Sequence, residues 1–188
     1  MAIVDRLKID QRTPVWFTMQ ATFNREVLVQ EYLNQKEIES FIPMQYVMDE
    51  RGKSKKMILS PVVKNLLFIK ASITTIKELR NKFSYLQFKR SLENSLYIPT
   101  IVPTKQMEDF VRLYNSTHLK NLSYLSPDDP NLKKAETVRL HQKGGALDGI
   151  VGKLVKIEGR RNKHLSIRIG ENITIAAPFK VDLIEVIK

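Results

Sequence analysis

Trp16-Phe17-Thr18-Met19-Gln20-Ala21 reads as a half-buried strand, with Phe17, Met19 and Ala21 on one side and Trp16, Thr18 and Gln20 on the other. Downstream, Ser60-Pro61 through Asn65-Leu66-Leu67-Phe68-Ile69 has strand composition. Between the two runs, Asn24 can cap a helix, and Glu26 stands where the helix dipole favours an anion. Leu28/Tyr32 and Val29/Leu33 give that helix an apolar stripe ending near Lys36.

The pattern continues in both directions. Residues 41–48 and 56–69 are β-rich, and the polar stretch 49–54, with Gly52, suits a hairpin. Pro43 points to a strand edge or start. Thr75-Ile76-Lys77-Glu78 has the form of a capping box, followed by an amphipathic helix marked by Ile76, Leu79 and Phe83. Residues 85–88 and 96–98 read as short strands. Pro103-Thr104 opens a third helix, along which Met107, Phe110, Val111 and Tyr114 keep one face apolar. This order predicts an α+β fold, close to a ferredoxin-like α/β sandwich whose sheet leaves one face open.

Periodicity stops between residues 115 and 135, where Ser126-Pro127-Asp128-Asp129-Pro130-Asn131 is turn chemistry. Beyond it, residues 138–140, 150–158, 164–169, 173–177 and 181–187 are short β-like runs, which predict a small barrel. The expected organisation is therefore 1–114 as one domain, 115–135 as a linker and 136–188 as a second domain.

A chain with 43% apolar residues can bury a core, which excludes disorder throughout. Thirty-one Lys and Arg against 20 Asp and Glu leave a formal charge of +11, which favours a polyanionic partner. The imbalance is not a tail: 18 basic and 12 acidic residues fall in 1–114, and 13 and 8 in 115–188. The absence of cysteine removes disulfides and thiolate metal sites and fits a reducing, cytoplasmic compartment. Met1-Ala2-Ile3-Val4-Asp5-Arg6 meets charge too early for a signal peptide, and no apolar run nears the ~20 residues of a membrane span.

Two segments carry a family resemblance. Trp16-Phe17-Thr18-Met19-Gln20-Ala21, Phe41-Ile42-Pro43-Met44 and Ile101-Val102-Pro103-Thr104 resemble the opening strand, second strand and last-helix approach of the NGN domain of NusG-type transcription factors. Gly145-Ala146-Leu147-Asp148-Gly149-Ile150-Val151-Gly152 resembles the turn of a KOW motif. Ala146 and Leu147 stand there in place of the usual Pro and aromatic. Glycine is required where such a turn needs positive φ or close backbone approach. The resemblance spans most of the chain and implies an NGN domain followed by an SH3-like β-barrel. It is nearest to the specialised RfaH and UpxY-type paralogues.

The resemblance implies a transcription elongation or antitermination regulator that binds RNA polymerase and suppresses pausing or termination. The polymerase clamp would be bound by Gln20, Val63, Leu66, Phe68 and Met107, and the gate loop contacted by Thr74 and Thr75. Where the family often has Pro-Gly-Tyr or Pro-Asn-Tyr, this chain has Lys64-Asn65-Leu66, without the aromatic. Arg51, Lys53, Lys55, Lys56, Lys77 and Arg80, with Arg160, Arg161 and Lys163 on the second domain, would meet nucleic acid, either DNA near the bubble or nascent RNA. A ribosomal protein or a termination factor would be the second domain's partner.

No cofactor, metal or membrane is implied. His118, His141 and His164 lack metal-ligand spacing, and no P-loop, nucleophile elbow or dinucleotide fingerprint is present. Two other readings compete. One is a KOW-type RNA-binding or ribosome-associated protein, and the other a nucleic-acid-processing enzyme using acidic residues and a divalent ion. β-Branched content in Ile150-Val151, Ile167-Arg168-Ile169 and Ile173-Thr174-Ile175 predicts that the second domain stays β rather than switching to helix.

Overall fold

The computed structural model describes residues 10–49, 55–93, 96–117, 120–126, 128–170, 173–181 and 183–187. Its contacts divide the chain into two compact units, Met1–Ile42 with Val63–Thr104, and Pro43–Val62 with Lys105–Lys188.

The first unit is organised by β1 (Val15–Ala21), which pairs antiparallel with β5 (Leu66–Ala71), β6 (Leu86–Phe88) and β9 (Ile101–Val102). With β2 (Ser40–Phe41) outside β5, the order β2-β5-β1-β6 is that of a ferredoxin-like sheet. Helices α1 (Glu26–Gln35) and α2 (Ile73–Lys82) supply the crossovers. A separate ribbon joins β7 (Arg90–Glu93) to β8 (Leu96–Pro99). The sequence pattern misses β7 and β9, whose few residues hold too little periodicity to register.

The sheet's central strands do not leave one face open as expected. Trp16, Phe17, Thr18 and Met19 on β1 and Leu66, Leu67, Phe68 and Ile69 on β5 are all buried, so both alternating sets are out of water. Leu28 is 58% exposed, and α1 buries Glu26, Val29 and Leu33 instead.

Both helix starts differ from the expected caps. Asn24 has φ +54°, and Arg25 precedes α1 without a side-chain cap. Glu26 instead turns inward, where its Oε1 accepts the Asn65 N–H at 3.1 Å and its Oε2 is buried with no hydrogen-bond partner. Asn65 Oδ1 accepts the Asn24 N–H at 2.7 Å, and the Asn65 carbonyl accepts the Ala21 N–H at 2.8 Å. One asparagine at φ +65° thus ties the exit of β1 to the entry of β5. At α2, Ser72 is the cap: its Oγ accepts from Thr75 N–H at 3.1 Å. The box therefore begins three residues before Thr75.

In the second unit, β10 (Ser123–Leu125), β11 (Thr137–His141), β12 (Val151–Lys156), β13 (Lys163–Ile169), β14 (Ile173–Ala177) and β15 (Leu183–Val186) form one antiparallel sheet. Its order is β10-β14-β13-β12-β11-β15. The stretch 115–135, read above as a linker, contains β10 and the short helix α4 (Pro130–Lys133). Asp129 caps α4, its Oδ1 accepting from Asn131 N–H at 2.8 Å. Also in this unit are α3 (Thr104–Asn115) and the hairpin of β3 (Met44–Asp49) and β4 (Lys56–Pro61). Tyr114 ties these two together, its hydroxyl oxygen accepting from Met44 N–H at 3.1 Å. Burial pushes the Tyr114 phenol up from its ordinary value. The whole is an α+β architecture with a small β domain.

Asn65→Ala loses the side-chain bond and places a Cβ residue without local compensation in left-handed backbone. It should destabilise by about 1–3 kcal/mol. Asn65→Gly, which relieves φ but not the bond, should fall between the two in a chemical denaturation series.

Candidate functional site

Strand register decides which side chains share a face. Gln20 lies directly opposite Leu66, Thr18 opposite Phe68 and Trp16 opposite Lys70, so these six side chains stand on one side of the sheet. The Arg80 guanidinium of α2 lies 4.9 Å from the centre of the Phe88 ring, and Phe88 pairs with Met19, so α2 covers the opposite side. The Tyr32 ring of α1 meets Phe83 at the end of α2 at 5.2 Å, which puts α1 there too. Gln20, Leu66 and Phe68 therefore share the side away from the helices.

Their accessibility differs sharply. Gln20 is exposed and Val63, in the turn before β5, is partly so, whereas Leu66 is 3% exposed and Phe68 fully buried. Leu66 and Phe68 are thus core residues that shape this surface from beneath. Thr18 beside them buries its Oγ1 with no hydrogen-bond partner. Met107 belongs to the second unit, where it is buried on α3 with Phe110, Leu113 and Tyr114.

On α2, Thr74 is exposed, while the Thr75 hydroxyl lies 3.0 Å from the Ser72 hydroxyl in the cap. Lys77 is exposed. Arg80 is half-buried against Phe88 with its Nε out of water and unpartnered, an arrangement that uses its cation in packing. Arg51 and Lys53 lie outside the described residues. Lys55 and Lys56 are exposed beside them, as are Arg160, Arg161 and Lys163 around the β12–β13 turn. Next to that turn, His164 is buried, its Nδ1 3.1 Å from the Asn162 carbonyl, and desolvation pushes its pKa down.

The hairpin carries a feature that the sequence reading missed. Tyr46 opposes Leu59 and Met48 opposes Met57, so one face shows four large apolar side chains, each 43–53% exposed. Met44, Tyr46 and Met48 on one strand and Met57 and Leu59 on the other recur at every second residue and encode that face, although Val47 and Ile58 make the opposite face apolar too, and spacing does not say which side is covered.

The glycine turn is fixed from two directions. Gly149 has φ +75°, and a Cβ on Gly152 would lie 2.6 Å from the Ser166 carbonyl oxygen of the neighbouring strand. One glycine thus serves conformation and the other close approach. Leu147, where the motif usually has an aromatic, is 3% exposed and fills that core position. Arg112 of α3 clasps the turn: its Nε donates to the Ala146 carbonyl and its Nη2 to the Asp148 carbonyl, both at 2.7 Å. Asp109 at 3.1 Å orients the guanidinium.

A family model described as transcription termination factor NusG matches residues 14–111, more than half of the chain. The chain belongs to the NusG family. Its members are transcription elongation and termination factors, and membership implies interaction with RNA polymerase. A solved structure described as domain interaction in Thermotoga maritima NusG aligns over 94% of this chain and 98% of its own. Its identity is 15% and its TM-score 0.49, so it adds nothing to the family match. No curated protein matches. Among the described residues no helix is long and apolar enough to cross a membrane, and no three His, Asp or Glu side chains gather as metal ligands would.

In this NusG-family chain, Gly152→Ala should lower stability by about 1–3 kcal/mol, because backbone rather than a mobile side chain blocks the added methyl. A thermal-unfolding scan reads it directly, with an exposed Lys156→Ala change expected to leave the midpoint nearly unmoved.

Proposed function

We propose that this NusG-family chain is an operon-specific elongation and antitermination regulator of the RfaH/UpxY kind, acting in the cytoplasm by binding alone and without a cofactor. The functional modules are an NGN-like one over 1–114 and a KOW-like one over 136–188, joined by 115–135. The NGN-like module grips the polymerase clamp through the sheet side that carries Gln20, with Val63, Leu66 and Phe68 as the other members of the site. Thr74 and Thr75 meet the gate loop. Binding two parts of the polymerase at once shifts it toward its closed, pause-resistant form by the difference in affinity between forms.

The observation that carries this reading is the register placing Gln20, Leu66 and Phe68 on the side of the sheet away from the helices, within a chain of this family. Burial refines the roles. Leu66 and Phe68 already lie out of water, so their area adds nothing further on docking, and affinity must come from the rim they support. Gln20 and Val63 are that rim.

Lys77 and Arg80 in one unit, and separately Arg51, Lys53, Lys55 and Lys56 in the hairpin segment, are the module's candidates for nucleic acid, acting on phosphates in a salt-sensitive, sequence-tolerant way. The KOW-like module recruits a ribosomal protein or termination factor and offers Arg160, Arg161 and Lys163 to RNA. Its strands, such as Ile173–Ala177, support a module that stays β.

The test is capture of RNA polymerase from nuclease-treated extract with tagged wild-type chain and a Gln20→Arg/Val63→Asp variant. Recovery should drop about tenfold for a variant that unfolds at the wild-type temperature, equivalent to ~1.4 kcal/mol. Equal recovery removes the clamp site. Binding that disappears with nuclease treatment favours an RNA-binding or ribosome-associated protein instead. Phe68→Asp is unsuitable, because a carboxylate at a fully buried position unfolds the sheet.

A further inference from the structure

The second unit contains a cavity of ≈ 460 Å³ that the reading above does not use. Phe179 and Lys180 line it from the segment after β14, and Asn162 and Lys163 from the β12–β13 turn. Gln142 and Leu147 line it from the glycine turn, and Ser116 and Thr117 from just after α3. Its volume is in the ~300–1,000 Å³ range of small-ligand sites.

The chemistry of the lining restricts the occupant. Phe179 is half-buried and offers part of a flat apolar ring, and buried Leu147 adds a second apolar side chain to the lining. Lys163 and Lys180 are exposed cations from separate segments at the same opening. Gln142 Oε1 accepts from Leu147 N–H at 3.2 Å, which leaves its amide N–H groups to donate. Asn162 adds a second amide. A guest that satisfies this set is anionic, rich in acceptors and partly flat and apolar. Arg160 and Arg161, exposed on the same turn, carry positive charge onward from the mouth, as a polymer of regularly spaced negative charges requires. An acidic peptide would satisfy the lysines but leave the ring without a planar partner.

We propose that this cavity receives one unpaired nucleotide of a single-stranded nucleic acid, with its base against Phe179 and its flanking phosphates on Lys163 and Lys180. Such a combination of a stacking platform and a basic track binds single strands with little sequence preference. A duplex keeps its bases stacked inside and cannot present one. The proposal deepens the nucleic-acid half of the function proposed above and is independent of clamp binding.

The experiment measures fluorescence anisotropy of a fluorescein-labelled oligouridylate of about ten nucleotides with the full chain. A deoxy-oligonucleotide of the same length and a duplex serve as parallel probes. Single strands should bind at least tenfold more tightly than duplex, and a preference between the RNA and DNA arms names the source of the strand. Phe179→Ala should weaken binding about tenfold, as expected for loss of one stacked base. Lys163→Gln/Lys180→Gln, at exposed positions that do not threaten folding, should reduce the dependence of affinity on salt. Unchanged affinity in both folded variants overturns the proposal, as does equal binding of duplex. Displacement of the oligonucleotide by an equal charge concentration of polyglutamate also overturns it, marking the cavity as an acidic-peptide site. Polymerase capture by the same variants should match wild type, which separates this result from the clamp test.

Discussion

The antiparallel pairing of β1 with β5 is the constraint on which the first unit rests. Six consecutive residue pairs, from Val15–Ala71 to Gln20–Leu66, lock two mixed apolar strands in one register. A slip of one residue would send Phe17, Met19, Leu67 and Ile69 to the wrong side. Because α1 and α2 lie on the side of Phe17 and Met19, the same register assigns Gln20, Leu66 and Phe68 to the other. Fold and candidate docking surface therefore follow from one ladder.

That register is held at its open end by Asn65. A left-handed residue is needed there to turn the chain into β5, and asparagine accepts the conformation more readily than most while giving its side chain to Asn24. Glu26 completes the corner from α1, spending a buried carboxylate oxygen on the Asn65 amide. Pinning of this kind sets the register in which Leu66 enters the sheet opposite Gln20.

The second unit solves a similar problem with Arg112. A turn rich in glycine is costly in conformational entropy, and two guanidinium bonds to its carbonyls, exposed and so partly screened by water, offset part of that cost. The clasp joins α3 to the turn between β11 and β12. The position next to Gly145 therefore tolerates Ala146 and Leu147 in place of Pro and an aromatic. The backbone is held from outside, and Leu147 still fills the core.

Local chemistry was enough to read the three long helices, the strands at 15–21 and 66–71, the hairpin and five strands of the C-terminal sheet. Alternation and i, i+4 spacing are short-range and survive in the bare sequence. Gly149 and Gly152 were marked only by the resemblance to a KOW turn, and the folded backbone decides that the first serves positive φ and the second close approach. Capping was misread at Asn24 and Thr75 because several polar residues near each helix start have suitable side chains, and only the folded backbone selects one. Tertiary structure alone decided that both sheet faces are buried over β1 and β5. It also decided that Arg80 packs on an aromatic ring and that a basic turn borders a cavity. Burial depends on what arrives from distant parts of the chain, and periodicity reports which side of an element is apolar without revealing what will cover it.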